Sequence, residues 1–289
     1  MIADPAKTQL RTRWLLNLGL LLAIAALAAF LLYTRGREAA DGPRLTAVAP
    51  AAVARLRLER NGAPIVLEKT GDQWRLAAPV RARANPFNVE RLLRLAAARS
   101  EARFPFAPGE ADKYGLKKPQ ARVWLDDEEI AFGALHPFHN QQYVRYRGEA
   151  HLIAAHHFAP AALPYTDYLD TRLFEEERRP VAFALPDFTL TLRDGIWRRE
   201  PEDKTIASDR INDFVAEWRN ARALSVERRS GRPALGQVRV TFARDAKTET
   251  LTLAIVARAP EFIIRRADEG LEYHFPEDTG KRLLNISEK

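Results

Sequence analysis

The chain has no cysteine. That removes thiol nucleophiles, disulfides, CxxC redox chemistry, thiolate metal sites and a lipidated cysteine anchor, and it carries no information about redox compartment. Also missing are a G-x-S-x-G elbow, a Walker A loop, a G-x-G-x-x-G turn and an H-E-x-x-H helix, so no motif signals nucleophilic, phosphate-binding or zinc-hydrolase chemistry. Thr279-Gly280-Lys281 has the ending of a phosphate loop, but Phe275-Pro276-Glu277-Asp278 before it supplies no glycine to cradle a phosphate. Charge of one sign is absent too. The 45 Lys and Arg are spread among 38 Asp and Glu, for a net charge of +7. With no helix-turn-helix, RNP-type or zinc-finger spacing, this reads as an Arg-rich solvated surface that tolerates anionic lipid, and no nucleic acid is expected as a partner.

Long apolar runs are lacking with one exception, Trp14 to Tyr33, which contains no charge and a single amide, Asn17. About 20 apolar residues at ~1.5 Å rise match the ~30 Å hydrocarbon core of a bilayer, and Trp14 and Tyr33 stand at its ends, where amphipathic rings favour the interface. The reading is a single transmembrane helix over 14–33. A cleaved signal peptide competes, since Lys7, Arg11 and Arg13 form a basic leader and Ala26-Leu27-Ala28 has a small-x-small form. The run is longer than the ~7–15 residues of a signal h-region and continues through Phe30-Leu31-Leu32, which favours the anchor. Flanking charge does not orient it, because Lys7, Arg11 and Arg13 before the span balance Arg35, Arg37 and Arg44 after it. The short N-terminal tail (1–13) and the long C-terminal region favour N-in, with the bulk of the chain outside the cytoplasm.

After a linker (34–48) the same pattern occurs twice, over 49–178 and 179–289. In the first copy, alternating strands at Val53 to Glu59 and Ile65 to Lys69 lead through Gly71-Asp72 to a return strand begun by Trp74. In the second, Phe188 to Arg193 leads through Asp194-Gly195 to Trp197. A helix follows in each. Val89, Leu92, Leu93 and Ala96 have the i, i+3, i+4, i+7 spacing of one helix face, and Ile211, Phe214, Val215 and Trp218 repeat it 122 positions later. Asn85 with Pro86, and Ser208 with Asp209, read as helix starts. Strand candidates at Val123, Ile130, Tyr143 and His151 correspond to those at Val238, Leu251, Phe262 and Leu271. The expected fold class is α+β: one N-terminal transmembrane helix, then two homologous units, each a mainly antiparallel sheet with a packed helix.

Five of the six histidines, His136, His139, His151, His156 and His157, fall in one segment downstream of Asp126-Asp127-Glu128-Glu129, enough donors for zinc or copper. Pro137 separates the first pair from a common helix face, and the adjacent His156 and His157 point apart on a strand, so loop histidines are the favoured reading. The acidic run reads as a hairpin turn. Trp74 and Trp197, at matched positions, read as hairpin packing rather than as sugar platforms. Tyr114-Gly115-Leu116 reads either as a ligand-facing loop or as a tight turn that packs Tyr and Leu inward. Arg219, Arg222, Arg228, Arg229 and Arg232 form the densest basic cluster, a solvated face or an interaction surface. No residue is expected to be catalytic and no cofactor is expected.

Leu56-Arg57-Leu58-Glu59-Arg60-Asn61-Gly62, Ile65 to Lys69, Gly71-Asp72-Gln73-Trp74, Pro79, the Val89, Leu92, Leu93 helix, Lys113-Tyr114-Gly115-Leu116-Lys117-Lys118-Pro119, Gly133 and Tyr143-Val144 together resemble the bacterial domain-of-unknown-function family 4340. The likeness covers Val53 to Phe174 well and the second copy weakly, where the Tyr-Gly-Leu motif is reduced to Gly231-Arg232-Pro233-Ala234-Leu235-Gly236. The resemblance implies a membrane-anchored, extracytoplasmic protein encoded beside ABC-type exporters similar to the gliding-motility transporter, with no established catalytic residues. It points to a non-catalytic accessory or scaffold partnering an ABC-type permease or another envelope machine. The alternative is a periplasmic ligand- or metal-binding module built on His136 to His157.

Overall fold

The structure, a computed structural model, describes residues 14, 17–30, 42–105, 108–244 and 247–286. Helix α1 (17–30) is exposed at every residue, with Leu18, Leu20, Leu21, Leu22, Ile24, Leu27 and Phe30 all turned to the outside. Residues 15, 16 and 31–33 of the expected span lie outside the described residues, as does most of the linker. Among the described residues no helix is long and apolar enough to cross a membrane.

The remainder is mixed α+β with two antiparallel sheets. In chain order come β1 (Arg55–Glu59), β2 (Ile65–Thr70), β3 (Gln73–Ala78), β4 (Ala82–Arg83), α2 (Pro86–Leu93), β5 (Ala102–Pro105), β6 (Ala121–Leu125), β7 (Glu128–Leu135), β8 (Gln141–Tyr146), β9 (Glu149–Ala154) and α3 (Phe158–Ala161). Then follow β10 (Arg179–Ala184), β11 (Thr189–Arg193), β12 (Ile196–Glu200), α4 (Ser208–Asn220), β13 (Ser225–Arg228), β14 (Gly236–Arg244), β15 (Lys247–Ala257), β16 (Glu261–Arg266), β17 (Leu271–Pro276) and α5 (Glu277–Leu284). One sheet has nine strands in the order β4-β3-β2-β1-β6-β7-β8-β9-β5; the other has eight, β12-β11-β10-β14-β15-β16-β17-β13. Apart from the two-residue β4, the two orders are the same, and each sheet has one helix, α2 or α4, at the same point of the chain path. Period-two burial explains the strands: β1, β6 and β8 alternate buried and open side chains, the pattern of a sheet with one covered face. Asp194 and Gly195, both at positive φ, close β11 onto β12 as a two-residue hairpin requires.

Two compact units account for the chain, Met1–Val53 with Arg91–Ala162, and Ala54–Glu90 with Leu163–Lys289. In the first, the core is built on Val123, Ile130, Phe132, Val144 and Ile153. In the second, α4 buries Ile211, Phe214, Val215 and Trp218. The Trp218 ring lies 5.8 Å from Phe183 and 6.1 Å from Phe174, and its Nε1 donates to the Leu283 carbonyl of α5 at 2.9 Å.

Of the two expected helix starts, one holds and one shifts by a residue. Asn85 Oδ1 accepts the Phe87 N–H at 3.1 Å, a side-chain cap with Pro86 at the first helical position. Ser208 is itself the first residue of α4, with Ala207 at the cap position and no side-chain cap bond. On α2 the buried residues are Val89 and Leu92, followed by Leu95 and Ala96, while Leu93 is only half-buried. The cause is a 3-10 turn over Arg94–Ala97, whose tighter winding carries Leu95 inward.

Gly280 sits inside α5, and a Cβ there would stand 2.3 Å from Phe262 Cγ. In an open helix Gly→Ala stabilises by roughly 0.5–1 kcal/mol. Against Phe262 the sign reverses, so Gly280→Ala is expected to lower stability by about 1–3 kcal/mol in urea unfolding. A gain in stability would show that α5 does not press on β16.

Candidate functional site

Tyr114-Gly115-Leu116 is a turn clamped onto β7. Gly115, at φ +66°, turns the chain, and its N–H donates to the Asp112 carbonyl at 3.0 Å. Leu116 drops into a small core with Ala111 and Ala150. The register of β7 against β8 slips between Phe132 and Leu135, which frees the Ala134 N–H to donate to the Tyr114 carbonyl at 2.8 Å. The strand approaches so closely that a Cβ on Gly133 would fall 2.3 Å from that carbonyl oxygen. The Tyr-Gly-Leu turn and the distant Gly133 are therefore one device.

What the clamp presents is the Tyr114 ring. It lies 5.3 Å from Phe104 and 4.9 Å from Tyr143, half-buried, with Lys113 Nζ 5.4 Å from its centroid. His136 continues the row at 5.6 Å from Tyr143, then stacks on His139 at 5.4 Å and meets Phe138 at 6.1 Å. Phe138 is 82% exposed and Leu135 57%. The structure thus joins Tyr114 to His136 and His139, which no local pattern connects. An open face of this kind suits burial against a protein partner, since aromatic side chains bury large areas and dominate interface energetics.

The other histidines point elsewhere. His151 is buried, with Nδ1 2.9 Å from Ser100 Oγ. His156 and His157 have their rings 4.2 Å apart, and burial together with the neighbouring His156 pushes His157 down to about 4. Among the described residues no group of three His, Cys, Asp or Glu is placed to hold a metal ion. A histidine whose folded pKa is depressed binds its proton more readily when unfolded. Its contribution is therefore complete above pH ~6.5 and is lost as pH falls toward 4. His157→Gln is expected to flatten the stability profile across that window; an unchanged slope would place the titration on another group.

The basic cluster divides. Arg219 and Arg222 line one cavity of about 240 Å³ together with Arg172 and Arg178. Arg228 instead donates to the Pro79 carbonyl at 2.7 Å and covers the Tyr165 ring at 5.8 Å. Arg229 is exposed, with its backbone N–H on the Gly270 carbonyl, and Arg232 approaches Glu272 at 3.8 Å.

A buried ionic network in the second unit was not visible in the sequence. Arg83 of β4, only 6% exposed, donates through Nε to Glu269 at 2.7 Å and through its terminal nitrogens to the Arg172 carbonyl at 2.6 Å and Tyr273 Oη at 2.9 Å. It also pairs with Asp170 at 3.3 Å. Arg266 is 1% exposed, reaches the Leu173 carbonyl at 2.7 Å and pairs with Asp268 at 2.6 Å. Tyr273 donates its hydroxyl proton to Glu269. Burial opposes the charge on Glu175, but Arg266 and Arg83 outweigh it and hold the carboxyl below its ordinary range; Asp268 is lowered by Arg266 in the same way. Burial, with Glu269 next to it, drives the Tyr273 phenol well above its usual value. Every cation here is matched, so the network ties β4, the 170–175 segment and the β16–β17 hairpin together.

The family described as Domain of unknown function (DUF4340) matches residues 74–238. The chain belongs to the DUF4340 family. The DUF4340 match starts on Trp74 and includes Arg83, the Tyr114 clamp with Gly133, the His136 face, and Arg219 and Arg222. It runs through α4 and stops within β14, so it takes in most of the first sheet and the opening of the second. No curated protein and no solved structure matches the chain.

Proposed function

We propose that this DUF4340 chain is a non-catalytic accessory protein of the cell envelope, held in the bacterial inner membrane by one N-terminal span, N-terminus inside. Its two α+β copies, homologous and duplicated from one ancestor, stand in the periplasm and partner an ABC-type permease. The observation that carries this reading is α1, a helix whose seven large apolar side chains are all exposed. A solvent-exposed apolar helix of that composition is unfavourable in water and favourable in lipid. The common strand order of the two sheets supports the duplication. The open aromatic row at Tyr114 and Phe138 supports docking to a protein rather than turnover of a substrate.

The expected result is an active C-terminal alkaline phosphatase fusion and a dark C-terminal GFP fusion. The opposite pattern would remove the periplasmic placement, and a soluble processed form would replace the anchor with a signal peptide. Affinity purification of the full chain from membranes is expected to recover a permease, with recovery reduced about tenfold or more in Tyr114→Ala/Phe138→Ala, the scale of losing two interface aromatics. Recovery that does not change in this double variant would move the docking surface elsewhere.

A further inference from the structure

We propose that the cavity formed by Arg172, Arg178, Arg219 and Arg222 is a binding site for a phosphate group of net negative charge, carried either by an anionic lipid headgroup or by a small soluble anion. The cavity holds about 240 Å³, enough for one phosphate with part of its substituent. Its walls are arranged by backbone rather than by flexible side chains alone. Arg172 and Arg222 form an isolated antiparallel bridge, flanked on one side by the Leu173 N–H on the Ala221 carbonyl at 2.9 Å and on the other by the Ala223 N–H on the Thr171 carbonyl at 2.8 Å. Residues directly opposite in such a bridge stand about 4.5–5.5 Å apart with side chains on the same face, an arrangement that is destabilising for like charges.

Charge matching shows where the excess lies. Arg172 is met by Asp170 at 3.0 Å and Glu176 at 2.8 Å, and Arg178 by Glu175 at 2.6 Å. The two carboxylates that line the cavity, Glu175 and Glu176, are thus already taken. Arg219, in the last turn of α4, and Arg222, two residues past its end, have no carboxylate partner among the described residues. The cavity therefore keeps two uncompensated guanidiniums. A guanidinium offers planar, paired N–H donors that match phosphate oxygens, and an anion held by Arg219 and Arg222 would neutralise the two charges that the carboxylates leave unmatched.

The test uses the full chain in a neutral detergent at roughly physiological salt, where diffuse surface attraction is screened beyond about 8 Å. It is titrated with inorganic phosphate, with dihexanoylphosphatidylglycerol, and with dihexanoylphosphatidylcholine as the lipid of zero net charge. Saturable binding of phosphate or of the glycerol lipid is expected, weakened about tenfold or more in Arg219→Gln/Arg222→Gln. Arg193→Gln/Arg258→Gln, which removes the same charge from exposed positions elsewhere, is expected to bind within about twofold of the parent. Binding of phosphate marks a soluble ligand, and binding of the glycerol lipid alone marks a headgroup. No saturable binding of either probe, equal binding of the choline lipid, or equal loss in both double variants would overturn the proposal. The near-ultraviolet circular dichroism of each variant confirms that the fold is retained, as exposed arginines permit.

Discussion

Arg83→Ala is expected to destabilise the protein by about 3 kcal/mol, the lower end of the range for removing one partner from a buried ion pair. The side chain is 6% exposed and satisfies Glu269, Asp170, Tyr273 and the Arg172 carbonyl at once. Its loss leaves those acceptors in a site with little water. The figure does not go higher because Asp170 keeps Arg172 at 3.0 Å and Glu269 keeps Arg266 at 3.5 Å. Arg83→Lys should recover only part of the loss, since a single ammonium cannot reach acceptors in three directions. Urea unfolding of the full chain in detergent measures both, and a change under about 1 kcal/mol in Arg83→Ala would mean that the network has no net stabilising role. Acid provides a second readout. Glu175 and Asp268 have lowered pKa values, so their contribution is present above the ordinary carboxylate range, near pH 4, and is lost as pH falls below it. Because Arg83 helps to lower Glu175, the alanine variant should show a shallower acid limb.

The sequence displayed those parts of the fold that have a period. Trp74 and Trp197 are each the second residue of a hairpin return strand, and Ile211, Phe214, Val215 and Trp218 are all buried, because alternation and helical spacing are set by burial itself. It concealed β5 and β13. Each is four residues long and pairs only with the last strand of its sheet, β9 or β17, so few side chains report its phase. Helix α5 was hidden by Gly280, which reads as a break but fits where Phe262 presses against the helix. The candidate sites followed the same logic. Tyr114-Gly115-Leu116 stood out because a positive-φ glycine is local, whereas its link to Gly133 and His136 depends on a slip in the β7–β8 register that no local pattern encodes. Arg83 and Glu269 were unreadable for another reason: buried charges look like surface charges until partners far along the chain, 186 positions for this pair, are placed beside them.

Trp218→Ala is expected to produce the largest loss of all, about 3–5 kcal/mol, as for other fully buried aromatic truncations. The ring is 0% exposed and fills the space between α4, Phe174 and Phe183, so its removal leaves a cavity that these aromatic neighbours cannot close without leaving their own positions. Trp218→Phe separates packing from hydrogen bonding. Most of the ring volume returns, but the Leu283 carbonyl loses the indole N–H that meets it at 2.9 Å, for an expected loss of about 1–3 kcal/mol. The difference between the two variants also bears on duplication. Ala96, 122 positions earlier in the 3-10 turn that follows α2, is likewise 0% exposed, so matched positions of the two helical segments are both buried but filled by the smallest and the largest of the apolar side chains. If the copies descend from one unit, the neighbours of Ala96 have closed over the space that Trp218 fills. Ala96→Leu should then cost about 1–3 kcal/mol by overpacking, opposite in cause to the cavity at Trp218. Tolerance of leucine at Ala96 together with a loss under about 1 kcal/mol in Trp218→Ala would show that the two helices do not occupy equivalent places in their sheets.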